Sequence, residues 1–171
     1  PVRLPGEYVV GGMATMPTRK RTFPKALASL ARQVDKVYVY LDGFTEVPEA
    51  ARSLPNVVPI LSSEYPGLRA NGKLLGLVLE PKPCLYVCAD DDIQFHHDFV
   101  AKLRRGLAEY GDRAVVGFHG SHLARPFERY FIGRKTVEYD EVLDKSRPVD
   151  VLGTGAVMFN SSVLKFDVRD W

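Results

Sequence analysis

The sequence predicts an α/β domain: a mainly parallel sheet with helices on both faces. Two observations carry that expectation. Apolar segments rich in β-branched residues alternate with helical signals through residues 1–118. The segment at 84–89, CLYVCA, is apolar on both faces, as a strand inside a parallel sheet must be. A third observation gives the fold a use. Polar clusters follow three of the predicted strands, and open parallel sheets bind ligands outside the carboxyl ends of their strands.

Residues 7–14, with Val9 and Val10, form the first strand, and a turn containing Pro17 follows. Thr22 offers a helix N-cap, and Pro24 lies in the first turn, where a missing N–H is tolerated. Leu27, Leu30, Ala31 and Val34 then recur at i, i+3, i+4 and i+7, one stripe of an amphipathic helix. Residues 36–41, KVYVYL, form the second strand, closed by Asp42-Gly43. A short helix at 46–52 leads to the third strand, VVPIL at 57–61. Residues 68–79 read as helical with a loose period.

CLYVCA is the fourth strand. Asp98 caps the next helix, which places Val100, Leu103, Leu107 and Tyr110 on one side and ends at Gly111. Residues 114–118 are a further strand. The pattern is then lost over residues 119–148, about 30 residues of irregular or hairpin structure, longer than an ordinary connection. Residues 149–159 read as strand with a Gly-Thr-Gly turn in the middle.

The length of 171 residues suits a single domain. Within it, residues 1–118 carry the alternating strand and helix signals, and 119–171 the less regular remainder. Hydrophobic residues make up 46% of the chain, enough for a packed core. Lys+Arg is 23 against Asp+Glu 21, so the net charge of +2 offers no electrostatic reason to expect nucleic acid or a membrane surface as partner. No apolar run approaches the roughly 18 residues of a membrane span, and no signal peptide is readable. Cys84 and Cys88 lack the spacing of zinc or redox sites and read as inert core thiols of a reduced, cytoplasmic compartment. The start at Pro1 and the stop at Trp171 suggest a piece of a longer protein.

The strongest chemical signal is Asp90-Asp91-Asp92, directly after the fourth strand. Adjacent carboxylates repel, and a divalent cation relieves that repulsion. Alternate residues, Asp90 and Asp92, suit Mg²⁺ or Mn²⁺, which keep waters and share substrate phosphates. Arg19, Lys20 and Arg21 follow the first strand and precede a helix, an arrangement suited to a diphosphate. Asp42 can accept hydrogen bonds from a base or ribose, or simply belong to an Asp-Gly turn. Lys73 can meet a phosphate or base edge. His96 and His97 read as surface residues at a helix start, whereas His119 or His122 lies where it can complete a metal shell or contact substrate. Gly153, Thr154 and Gly155 allow a close backbone approach to a ligand, or a tight bend.

In order and spacing these elements resemble the inverting glycosyltransferases of the GT-A fold, the family 2-like group, over most of the chain. Residues 17–21 (PTRKR) resemble the Pro-Thr segment after that family's first strand, and 27–33 (LASLARQ) its first helix with a closing Gln. Residues 37–43 (VYVYLDG) resemble its second strand with a base-contacting Asp, and 86–92 (YVCADDD) its fourth strand with the DxD motif. Residues 152–159 (LGTGAVMF) resemble the later strand that borders donor and acceptor.

The resemblance implies a metal-dependent transferase that moves a sugar from a nucleotide-sugar donor, a UDP-sugar being favoured, to a carbohydrate or other hydroxyl acceptor. It implies a single domain in which residues 1–118 form the nucleotide-sugar-binding half and 119–171 the start of an acceptor-side half, and polysaccharide biosynthesis as the setting. Thr15, Pro17, Thr18, Arg19 and Asp42 would flank the base, with Lys73 nearby. Asp90 would meet the ribose and Asp92 the metal on the diphosphate, with Asp91 on the donor side between them. His119, Gly153, Thr154 and Gly155 would border the acceptor or diphosphate. The sequence departs from the family in Leu41, where a second acid is common, and in Arg19, where an aromatic is common. The family's base usually follows the strand with the Gly-Thr-Gly turn. Only Asp167 and Asp170 do so here, so the base stays unassigned, with Asp170 the candidate inside the chain.

Three other readings compete. A nucleotide-sugar-binding module, or a truncated domain without catalysis, would keep the donor site and lack the base. A sugar-phosphate nucleotidyltransferase would need a Gly-rich basic loop after the first strand, and MATMPTRKR lacks those glycines. A haloacid dehalogenase-type phosphatase would need a hydroxyl or apolar residue at a set place after its Asp nucleophile. Here Ile93-Gln94 follows the triplet, on the fourth strand rather than the first.

Overall fold

In the computed structural model, which describes residues 7–139, 141 and 145–170, the strand positions follow the apolar segments closely. The chain runs β1 (Val9–Thr15), α1 (Phe23–Ala31), β2 (Lys36–Leu41), α2 (Glu49–Arg52) and β3 (Val57–Leu61), then a 3₁₀ segment at Arg69–Leu74 and α3 (Gly76–Leu79). It continues through β4 (Leu85–Ala89), α4 (Phe99–Glu109), β5 (Val115–Gly117), β6 (Gly120–His122), β7 (Lys135–Val137), β8 (Val151–Leu152) and β9 (Ala156–Asn160) to a 3₁₀ turn at Val168–Asp170. The result is an α/β fold on a mixed, mostly parallel six-stranded sheet, ordered β3-β2-β1-β4-β9-β5. β1 to β4 are mutually parallel, while β9 is antiparallel to both its neighbours.

The strand period of two sorts the core into two layers. Val9, Met13, Val37, Val39, Leu41, Val87 and Ala89 meet α1, α2 and α4 on one face. Val10, Tyr38, Tyr40, Tyr86 and Cys88 point to the other, where residues around α3 and the C-terminal turn, among them Leu75 and Val168, cover them. Both helices longer than one turn therefore share a face. The opposite face carries short, tight segments, where the sequence predicts one helix over 68–79.

The reason lies in three glycines. A Cβ at Gly12 of β1 would overlap the Lys73 carbonyl and the Tyr86 hydroxyl. A Cβ at Gly72 would overlap the Tyr40 ring, and one at Gly76 would crowd Tyr86 and Tyr38. The backbone of Arg69–Leu74 thus lies directly on the sheet, and the Tyr86 hydroxyl donates to the Lys73 carbonyl at 2.7 Å. A regular helix, with side chains all round, would stand too far off for that bond.

Other differences have local causes. Pro48 is extended (φ −68°, ψ 149°), so the helix expected over 46–52 begins only at Glu49. Thr22 and Asp98 hold the N-cap positions of α1 and α4 but make no side-chain capping bond. Asp98 pairs instead with His96 at 2.6 Å and Lys102 at 3.1 Å. The strand expected over 149–159 splits at Gly153-Thr154-Gly155. β8 joins a small sheet ordered β7-β6-β8, and β9 enters the main sheet between β4 and β5. In the predicted irregular stretch 119–148, β6 and β7 form a hairpin, and residues 140 and 142–144 lie outside the described residues. Cys84 and Cys88 are buried and unbonded. Burial pushes the Cys88 thiol up to about 12, which leaves it protonated and unreactive.

The close approach at Gly12 makes a specific prediction. Gly12→Ala should destabilise the fold by about 3 kcal/mol in urea unfolding, the upper end for overpacking. The same change at Gly106 in α4, where a Cβ would be 3.9 Å from its nearest neighbour, should instead be neutral or gain up to about 1 kcal/mol. Equal unfolding midpoints for the two variants would disprove the contact.

Candidate functional site

Chain topology selects the place. β1 leads by way of α1 to β2 on one side, whereas β4 flanks β1 on the other, so the strand order reverses between β1 and β4. At such a switch point the loops diverge and leave a crevice at the carboxyl ends of the strands. Thr15 ends β1 and Asp90, Asp91 and Asp92 follow β4 at that point.

The turn after β4 then separates the triplet. Ala89 faces α1 and α4, and Cys88 faces the other layer. Asp90 turns toward the second layer, where Lys73 Nζ donates to its Oδ1 at 2.5 Å and to the Thr154 carbonyl at 3.4 Å. Lys73 is only 8% exposed, so this ammonium is held by fixed oxygens in place of water. Asp91 turns inward beside Thr15 and Arg19, with Arg19 Nε 3.7 Å from its Oδ1. Arg19 Nη1 also reaches Asp92 Oδ2 at 3.1 Å. Two cations therefore face three carboxylates, with one negative charge uncompensated when all three are ionised.

Burial pushes the Asp91 carboxyl above its ordinary value, against the opposing pull of Thr15 and Arg19. Thr15 is itself revealing. Its hydroxyl lies close enough to favour the Asp91 carboxylate, yet Thr15 Oγ1 meets hydrogen-bond geometry with no group. It is the one buried side-chain polar atom without a partner among the described residues. An unsatisfied buried hydroxyl costs about 1–3 kcal/mol, so it favours a ligand or water that supplies the missing bond.

The far wall comes from β6 to β9. The Asp90 amide donates to the Gly155 carbonyl at 3.0 Å, and the Gly153 amide donates to the His119 carbonyl at 2.9 Å. A Cβ at Gly155 would overlap Asp90 Oδ2, and one at Gly153 would overlap the His119 ring. The two glycines thus make room for two side chains of the site. His119 stacks on Tyr139, ring centroids 5.1 Å apart and nearly parallel, with Glu138 3.9 Å from His119 Nε2. Tyr139 is raised by burial and by the charges of Asp90 and Asp92, and its hydroxyl would lie 3.1 Å from a Cβ on Gly155.

The predicted residues are thus partly assembled. Contacts join Lys73 to Asp90 and Thr154, Asp90 to Gly155, Arg19 to Asp91 and Asp92, Asp91 to Thr15, and Gly153 to His119. Asp42 adjoins this group, its amide bonded to the Thr15 carbonyl at 2.8 Å, and the exposed Pro17 and Thr18 lie on the neighbouring turn. Lys20 and Arg21 are exposed, and of the basic cluster only Arg19 pairs with the triplet among the described residues. Asp170 is exposed in the C-terminal turn, and no hydrogen bond or ion pair joins it to the crevice among the described residues. His122 lies on β6, opposite Lys135. Tyr139 and Glu138 escaped the sequence reading because they fall where the periodic pattern is lost. Tyr86, which holds Lys73 in place, read only as core.

No protein-family model matches the chain, and no curated protein matches it.

Three ligand atoms within 4.8 Å of one another occur, among the described residues, at His96, His97 and Asp98. That group is largely exposed, and Asp98 already serves His96 and Lys102, which hold its carboxyl down at about 2. The triplet offers a different arrangement. Asp90 and Asp92 have side chains 43% and 41% exposed, and each has one carboxylate oxygen outside its ion pair. The three carboxylates do not form a cluster of three ligand atoms of the kind seen at His96, His97 and Asp98 among the described residues, so in this arrangement Lys73 and Arg19 offset the triplet's charge.

Because Asp91 binds its proton more tightly folded than unfolded, its ionisation removes stability as pH rises from the ordinary carboxylate value through the raised one. Asp91→Asn should therefore melt higher than the wild type at neutral pH. The two should converge below the ordinary carboxylate value, where both side chains are neutral. A lower melting temperature for the variant at neutral pH would contradict the assigned burial.

Proposed function

We propose that this chain binds a nucleotide-sugar, a UDP-sugar above all, and transfers its sugar to an acceptor hydroxyl with inversion, as a metal-dependent glycosyltransferase. The single observation behind this reading is the convergence of Lys73, Arg19 and the Asp triplet beside the unsatisfied Thr15 hydroxyl, at the switch between β1 and β4. A diphosphate ester needs cations and a carboxylate-held metal close together, and a nucleoside needs oxygen partners at the strand ends.

Asp90 and Asp92 are the residues that would hold Mn²⁺ or Mg²⁺, which when bound would offset the charge of the departing nucleoside diphosphate. Lys73, fixed by Tyr86 and Thr154, supplies a second positive charge that needs no reorganisation. Arg19 is exposed enough to swing from Asp92 to a phosphate oxygen. Thr15, Pro17, Thr18 and Asp42 line the base side. In the transfer, the acceptor oxygen bonds to the anomeric carbon as the bond to the diphosphate oxygen breaks, and the acceptor proton passes to a carboxylate base. The acceptor side is the wall of His119 and Tyr139, which also borders a cleft of about 670 Å³ between α4, β5 and the small sheet. Such a volume suits a small-molecule ligand. A cytoplasmic setting, polysaccharide biosynthesis and an acceptor of carbohydrate type belong to the same reading.

A donor-binding module without transfer is the second reading, favoured by the separation of Asp170 from the crevice. One experiment separates the readings. In calorimetric titrations of UDP-, GDP- and CMP-sugars with Mn²⁺, at least one donor should bind. Asp92→Ala, an exposed position, should weaken metal-dependent binding at least about tenfold while leaving the melting temperature within a few degrees. Failure of every donor to bind would sink the proposal. Binding without release of free nucleoside diphosphate in the presence of acceptors would favour the module.

A further inference from the structure

The connection between β6 and β7 presents a surface that the crevice does not use. From Arg125 to Lys135 the apolar side chains of this connection stay in solvent: Phe127 is 54% exposed, Tyr130 38%, Phe131 80% and Ile132 52%. Aromatic side chains of this size normally find cover, and a contiguous exposed group marks an interaction site. The charges around them are mostly positive. Arg125, Arg129, Arg134 and Lys135 stand against Glu128 alone. Arg125 is committed to Asp150 at 2.6 Å, whereas Arg129 and Lys135 are exposed and form no ion pair among the described residues. The +2 of the whole chain hides this local excess.

The order of the groups matters. Tyr130 and Phe131 meet edge to face at 4.9 Å. The Arg134 guanidinium lies behind them, 4.8 Å from the Tyr130 ring and 5.5 Å from the Phe131 ring, and donates to the Tyr130 hydroxyl at 2.8 Å. Exposed apolar rings interspersed with cations match the chemistry of a bilayer surface, acyl chains beneath anionic headgroups. A protein partner would need a broader face, commonly about 800 Å² on each side.

We propose that the residue 125–135 hairpin is a membrane-docking element: Phe127, Tyr130, Phe131 and Ile132 enter the interface of an anionic bilayer, while Arg129, Arg134 and Lys135 pair with its phosphates. No helix among the described residues is long and apolar enough to cross a membrane, so the contact is peripheral. Apolar insertion and electrostatic attraction act together, and neither suffices alone for firm attachment. β6 follows directly on His119 and β7 leads into Tyr139, so docking would hold the crevice close to the bilayer surface.

Co-sedimentation of the 171-residue chain with vesicles tests this. Binding to phosphatidylcholine vesicles containing phosphatidylglycerol should exceed binding to pure phosphatidylcholine at least about tenfold, and should fall as salt is raised. The double variant Phe131→Ser/Ile132→Ser should lose at least about tenfold of that binding without loss of melting temperature, since both side chains are already exposed. Arg129→Ser and Lys135→Ser should each cost about fivefold at low salt. Three outcomes would overturn the proposal: equal binding to both vesicle types, retained binding in the double serine variant, or no vesicle binding with a concentration-dependent dimer that the double variant abolishes. The last would make the hairpin an interface between two copies.

Discussion

One contact holds the candidate site together: the Tyr86 hydroxyl donating to the Lys73 carbonyl across the bare backbone of Gly12. It brings the 3₁₀ segment down onto the sheet, and that approach takes Lys73 out of water. A buried ammonium must find oxygens, and the nearest are Asp90 and the Thr154 carbonyl. Through Asp90 the constraint passes to Gly155, whose missing side chain leaves space for the carboxylate. Core packing and site geometry are therefore one problem in this protein. The tyrosine that fills the second core layer is also the residue that aims the lysine.

Charge separation follows from the turn that ends β4. The chain leaves the strand at Asp90 and turns through Asp91 and Asp92, so Asp90 meets Lys73 while Asp91 and Asp92 both face Arg19. Each side supplies its own cation, and the repulsion within the triplet is shared rather than concentrated. The arrangement still leaves negative charge in excess and a hydroxyl unsatisfied. These features destabilise a resting protein and are useful to one that binds a cation with an anionic ligand.

Much of the framework was legible. β2 and β3 occupy the residues their composition indicated, because KVYVYL and VVPIL leave no polar face that a helix could expose. The Leu27, Leu30 and Ala31 stripe lies against the sheet for the same reason. The 3₁₀ segment within 68–79 was not legible, since a local pattern does not record that Gly72 and Gly76 let Tyr40, Tyr38 and Tyr86 approach. Nor was the division of residues 149–159 between two sheets. A local pattern records which residues are extended, and β8 and β9 are both extended. It does not record which neighbours they pair with.

The sequence by itself determined the α/β class, the parallel core strands and the presence of an acidic triplet at a strand end, because all three rest on local periodicity and on covalent order. Tertiary structure alone decided that Lys73 and Arg19 divide the triplet between them, that Tyr139 stacks on His119 at its border, and that Asp170 stands apart from it. It also decided that an aromatic and basic hairpin remains uncovered. These are matters of which surfaces meet. They depend on distances between residues far apart in the chain, set by close packing of the whole core, and no window of sequence contains them.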